Sequence, residues 1–255
     1  MDIATIIGLV MGFGAIFGGA LLEGLHIGAL IQPTAALIVL GGTFGAAFVS
    51  FPLKTIIGAA KDIKKVLFPP HNDPEKVIKE IIGYAAKARR NGLISLEQEA
   101  QNVKDAFTKK GISLVVDGID PQKLRETLEI EITYYEEHAK QSAEFFEAAG
   151  GYAPTIGIIG AVLGLIHVMG NLSDSSKLGA GIAVAFVATI YGLMTANIVC
   201  LPFGTKIKHG IKEDLICKSM IVEGLIAIQN GENPHFIEQK LKAFVQEGGG
   251  EKKGK

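Results

Sequence analysis

Residues 153–170 read APTIGIIGAVLGLIHVMG, with a proline near the start, a threonine beside it, glycines at helical spacing and no Asp, Glu, Lys or Arg. Whether this segment crosses a membrane decides the fold, and the charge map of the whole chain gives the answer. The 255 residues carry 26 acidic and 25 basic side chains, yet none falls in four windows, 3–22, 24–53, 148–173 and 178–205. A spanning helix needs about 20 apolar residues to cross about 30 Å of hydrocarbon. Each window is long enough. The expected fold class is an all-α membrane protein with four transmembrane helices, the first two within 1–52 and the other two within 153–204. A helical cytoplasmic domain is expected over 53–152 and a helical tail over 205–255, disordered from about residue 247.

The first window is read as a retained helix. A cleaved signal peptide needs a basic start and a shorter apolar core, whereas the run here follows Met1-Asp2 and is full length. Lys and Arg set the orientation. The connector 23–26 has none and 170–179 has only Lys177, while 15 lie between the second and third windows and 9 follow the fourth. Both hydrophilic parts and both termini are thus expected in the cytoplasm. Cys200 and Cys217 lack CxxC spacing, and in that compartment they are expected to stay unpaired. A net charge of −1 gives no argument for a nucleic-acid partner.

The hydrophilic parts read as helices. Asp73-Pro74-Glu75 supplies a cap, a proline in the first turn and an acid at a helix N-terminus. That helix should stop at Asn91-Gly92. Ser95-Leu96-Glu97-Gln98 has the spacing of a capping box that opens the next helix. Asp120-Pro121 starts another, long enough to continue directly into the third span. A helix after the fourth span should end at Asn230-Gly231, and Asn233-Pro234 opens the last.

Ion paths in membranes normally use a buried ionisable residue, costly to bury and hence a mark of function. No span has one at its centre. His167, the titratable group of the third window, sits near the outer end, where it is either a polar residue beside the headgroups or a proton relay. What the third and fourth spans do have is small and hydroxylic: Gly157, Gly160 and Gly164 on one side of the third, and Gly181, Ala185, Ala188, Thr189 and Gly192 on the fourth. Faces of small residues invite another helix to lie close. Thr155 and Thr189 either coordinate an ion or bond back to their own helix, as membrane threonines often do. If this chain moves protons or sodium, a partner must bring the carboxylate.

Two stretches, EAAGGYAPTIGIIGAVLGLI and AVAFVATIYGLMTANIVCLPFGTKI, resemble the paired spans of the MotA/TolQ/ExbB proton channel family. LIVLGGTFGAAFVSFPL and KARRNGLISLE narrow the resemblance to its MotA/PomA flagellar stator subunits. It covers nearly the whole chain, with several motifs in the right order. The resemblance implies a homo-oligomeric ring, a pentamer, in the bacterial inner membrane around the helices of a MotB-like partner that carries the essential aspartate. It implies ion flow along that interface, and torque on the rotor protein FliG. It implies no enzyme, no bound metal and no cofactor beyond the transported ion. The ExbB/TolQ branch, which energises an outer-membrane process, is the alternative. Its three spans and different loop order fit this chain less well.

Carried over by position, Pro154 and Pro202 match the family's functional prolines. Pro154 is expected to break the third span near its cytoplasmic end, and Pro202 the exit of the fourth. Either can also be a plain boundary marker. Thr189 matches the hydroxyl that faces the partner's aspartate, and Thr155 is expected at the same cavity. Ala161 and Ala188 stand, on the channel-lining spans, where sodium-type members tend to have threonines, so protons are favoured over sodium. Arg89, Arg90 and Glu97 match the rotor-binding charges. Their places at helix ends also suit the helix dipoles, worth about 0.3–1 kcal/mol each.

Overall fold

The computed structural model describes residues 2–69, 73–170 and 175–248. Four helices in it are long and apolar enough to cross a membrane: Ile3–Leu22, Ile27–Ser50, Pro121–Met169 and Gly181–Gln229. The first, α1 (Ile3–Leu22), is uniformly apolar and ends at Gly24, whose φ of 79° only glycine adopts freely. The second span is built from pieces. α2 (Ile27–Leu30) is followed by α3 (Pro33–Ala36), a π-helical stretch over Leu37–Gly41, and α4 (Gly42–Ser50). It stops there because Pro52 forbids helical backbone at Phe51, which is extended (φ −126°, ψ 145°). The amphipathic α5 (Leu53–Leu67) follows at once, with Lys64 and Lys65 in its last turn.

α6 (Pro74–Asn91) starts as the sequence dictates, the Asp73 carboxylate accepting from the Glu75 amide at 3.0 Å. It ends at Gly92, where φ is 81°. The capping box at Ser95 does not form. Gly92 leads instead into a 3-10 turn over Leu93–Leu96, and the Ser95 hydroxyl donates back to the Gly92 carbonyl at 2.6 Å. α7 (Glu97–Asn102) therefore begins without a side-chain cap. α8 (Ala106–Val116) is capped by Asp105, which accepts from the Thr108 amide at 2.8 Å.

α9 (Pro121–Met169) runs 49 residues without interruption, with the Asp120 carboxylate accepting from the Gln122 amide at its start. The expected break at Pro154 is absent. The ring removes only its own amide, so the Gly150 carbonyl loses a donor while the turns on either side hold. α10 (Ser175–Met194) passes through a π-helical stretch, Thr195–Cys200, into α11 (Leu201–Gln229). Pro202 likewise fails to end its helix. The wide π turn just before it takes up the register shift that a proline imposes. Gly231 (φ 72°) closes α11, and α12 (Pro234–Gly248) follows Asn233, whose side chain accepts from the His235 amide. The expected disorder from about 247 falls, beyond Gly248, on residues outside the described set.

The chain divides into two compact units, one of residues 1–70 and 139–209, the other of 71–138 and 210–255. α5 and residues 139–152 pack with the spans. Phe145 and Phe146 are the reason: Phe51 meets Phe145 and Phe203 meets Phe146 edge to face, with Ala59 and Val66 of α5 in the same cluster.

In the second unit the core is aliphatic. Ile81 of α6, Ile112 of α8, Leu124 and Leu128 of α9, Leu225 of α11 and Ile237 of α12 are all within 1% of full burial. At its edge Glu223 receives Arg125 at 2.5 Å and Lys240 at 2.9 Å, tying α9, α11 and α12 together. Burial alone would raise this carboxyl, but the hydrogen bonds from Arg125 and Lys240 hold it below the ordinary glutamate range. A carboxylate with a depressed folded pKa stabilises fully above its unfolded value, near 4.3, and loses that contribution as pH falls through the lower folded value. Glu223→Gln should therefore cost about 1–2 kcal/mol at neutral pH and make the acid limb of a thermal-stability profile shallower. Cys200 and Cys217 are free and buried, as expected of unpaired thiols. Burial, reinforced by Asp214 and Glu213, pushes the Cys217 thiol up to about 11.

Candidate functional site

The small residues of the third and fourth spans do meet a close helix, and it is each other's. A Cβ on Gly192 would sit 2.5 Å from the Ala153 carbonyl oxygen, and one on Gly157 would sit 3.0 Å from that of Ala188. One on Gly164 would lie 2.9 Å from the Ala185 amide, and one on Gly181 2.5 Å from Val168. The two backbones thus touch along a seam from Gly192 to Gly181, with glycine wherever a side chain would part them. The other helix that these small faces invite is thus within the same chain. The expected place of Ala188 on a channel-lining face is corrected by its burial. This residue is fully buried against Gly160, in a cluster with Ala35, Val39 and Val187, and lines no open face.

Of the remaining candidates Thr189 borders the seam, its Cα 3.5 Å from where a Cβ on Gly157 would sit. Thr155 is exposed, and its hydroxyl donates to the Tyr152 carbonyl at 2.8 Å. Thr189 and Ala161 are half-buried, and the Thr189 hydroxyl donates to the Ala185 carbonyl at 3.3 Å. Both threonines therefore bond back to their own helices. Each hydroxyl oxygen keeps acceptor capacity, so the same groups can still meet a water or a cation from the open side. Pro154 is half-buried, one residue before Thr155, and Pro202 is exposed. The wall is thus apolar, with hydroxyls and no central ionisable side chain.

In the other unit, Arg89 and Arg90 occupy the last turn of α6 and Glu97 the first turn of α7. All three are exposed. The Arg90 Nε donates to the Ala86 carbonyl at 3.3 Å. Their neighbour Glu99 is committed to Lys87, at 2.7 Å. Exposed, like-charged arginines separated from Glu97 by a glycine-led turn form a mixed-charge surface suited to a charged partner.

Tyr191 and Thr43 were passed over by the sequence reading. Tyr191 bonds to the backbone of the second span, a contact across about 160 residues that no local signal marks. Thr43 is fully buried in α4, and its hydroxyl has no hydrogen-bond partner among the described residues.

The profile of the MotA/TolQ/ExbB proton channel family matches residues 99–220, and that of the motility protein A N-terminal region matches 6–91. Motility protein A of Bacillus subtilis is 35% identical over 96% of this chain and 91% of its own length. Chemotaxis protein PomA of Vibrio alginolyticus is 34% identical over 97% of both. Among solved structures, the chain is similar to one of C. jejuni MotAB, with a TM-score of 0.92 at 32% identity over 96% of each chain. It is also similar to one of the flagellar MotAB stator complex from Bacillus subtilis, with a TM-score of 0.88 at 34% identity over 95% of this chain and 96% of that one. With two profiles in order along the sequence and relatives matched end to end, this chain belongs to the MotA/TolQ/ExbB proton channel family, in its motility protein A branch.

Proposed function

We propose that this chain is a flagellar motor stator subunit of the bacterial inner membrane, which with a MotB-like partner couples inward ion flow to torque on the rotor. The observation that carries the reading is the wall of the third and fourth spans, hydroxylic at Thr155 and Thr189 and without a central ionisable group. Such a wall serves an ion path only when a second protein contributes the carboxylate. The similarity to the solved MotAB structures supports that division of labour. A homopentameric ring around the partner follows from the family reading, as does contact with a FliG-type rotor protein through Arg89, Arg90 and Glu97. Asp2 pairs with Lys206, which supports one side for Asp2 and the fourth-span exit, and the distribution of Lys and Arg supports the cytoplasm as that side.

Protons are the favoured ion. Sodium needs several oxygen ligands to replace its water; Ala161 offers none, and Ala188 is buried away from any open face. Swimming speed should collapse with a protonophore and stay unchanged when sodium is replaced by potassium. The opposite pattern would overturn the proton assignment.

Substituting Thr189 and Pro154 by alanine, at wild-type levels of membrane complex, should abolish swimming. Normal motility in both variants would count against torque generation. Reversing Arg89 and Arg90 to glutamate should stop motility and leave the complex intact. Dispersal of the oligomer by that change would show that the arginines serve their own helix end.

A further inference from the structure

The second span is broken inside the charge-free window 24–53. Pro33 disfavours helical backbone at Gln32, and the chain runs extended through Ile31 (φ −92°, ψ 94°) and Gln32 (φ −122°, ψ 98°) between α2 and α3. Extended backbone at membrane depth must find its hydrogen bonds within the protein, because lipid offers none. The Ile31 amide donates to the Gly28 carbonyl and the Gln32 carbonyl accepts from the Ala36 amide, and one side chain supplies two more. The Tyr191 hydroxyl of α10 donates to the Leu30 carbonyl at 2.6 Å and accepts from the Gln32 amide at 3.3 Å. A single phenol thus bridges the gap, donating on one side and accepting on the other.

Its place in α10 gives the contact a second consequence. Tyr191 stands between Thr189, on the wall, and Gly192, in the seam, and its ring packs on the buried cluster of Ala35, Val39, Val187 and Ala188. The glycine seam sets how close the third and fourth spans lie. A large turn of α10 would also swing flanking side chains into that seam, so the seam limits the rotation and a contact outside it fixes the angle further. A residue advances about 100° around a helix, so a modest rotation of α10 would carry the Thr189 hydroxyl off the wall. A hydrogen bond from Tyr191 to fixed backbone opposes that rotation.

We propose that Tyr191 is a positioning residue of the ion path: by clamping the broken second span it holds the rotation of the fourth span and with it the direction of the Thr189 hydroxyl. The inference rests on the reading of Thr189 given under Proposed function.

The test uses the full stator complex with its partner. Tyr191→Phe keeps the ring and removes only the hydroxyl. Hydrogen exchange of the peptide covering residues 29–34 should quicken about tenfold, the equivalent of one lost hydrogen bond. Ion flux per complex should fall roughly tenfold at unchanged complex yield, the scale expected when a working group is misplaced by an ångström or less. In the double variant with Thr189→Ala, flux should be no lower than with Thr189→Ala alone, because both changes disable the same group.

Unchanged exchange would overturn the clamp itself. Faster exchange with normal flux would reduce it to a structural contact and overturn the positioning role. Additive losses would sever the link through Thr189. A silent Thr189→Ala beside a slowed Tyr191→Phe would fault the reading of Thr189, and would support a clamp acting on the wall through another group.

Discussion

Gly192→Ala is expected to lower the melting temperature of the membrane complex and abolish swimming, although it adds a single methyl group. That methyl would lie 2.5 Å from the Ala153 carbonyl oxygen and 3.2 Å from the Gly157 Cα. Both obstacles are backbone, so no side chain can swing aside and the two spans must part. Parting them also loosens Ala188 from Gly160 and Ala185 from Gly164, the next two contacts of the seam. Overpacking of a tight interior typically costs about 1–3 kcal/mol, and here the strain falls on the helices that carry the wall. Gly83→Ala is the matched control. It lies exposed within α6 with nothing within 4 Å of a new methyl, and should stabilise by about 0.5–1 kcal/mol because alanine restricts the unfolded chain. Equal melting temperatures for the two variants would refute the seam.

The second large effect belongs to the other unit. Leu225→Ala should destabilise by about 2–5 kcal/mol, the usual cost of truncating a fully buried leucine. Gly111→Ala should also destabilise, since its methyl would lie 2.4 Å from Leu225 Cδ1. The double variant should lose less than the sum of the two, because the new methyl enters space that the truncated leucine vacates. A strictly additive result, read from thermal melts of the assembled complex, would show that the two side chains do not share that space.

The four spans were legible because charge is excluded from hydrocarbon, and exclusion shows in one dimension. The helix starts at Asp73, Asp105, Asp120 and Asn233 follow local rules as well, although Asp105 was not anticipated. Ser95 shows the limit of such rules. Its spacing to Gln98 fits a capping box, but Gly92 at positive φ begins a tighter turn and the hydroxyl goes backward. The prolines mislead for a related reason. Pro154 and Pro202 each cost an amide, and whether a helix ends depends on what packs around it. Small-residue faces revealed that something lies close, but not that the third and fourth spans face one another. That pairing buries Ala188 and leaves Thr155 exposed and Thr189 half-buried. The π-helical turns and the Tyr191 contact left no local trace at all.

Asp2 closes a clasp whose two halves are made far apart in time. Its amide donates to the Leu67 carbonyl at 2.9 Å, its carboxylate accepts from Thr5, and Lys206 completes it from 204 residues downstream. At synthesis rates of about 5–20 residues per second, the first span waits roughly 10–40 s in the membrane before its partner lysine exists. During that interval the aspartate is a lone charge at the end of an apolar helix. The clasp on the first span can therefore close only once the segment that follows the fourth has been made.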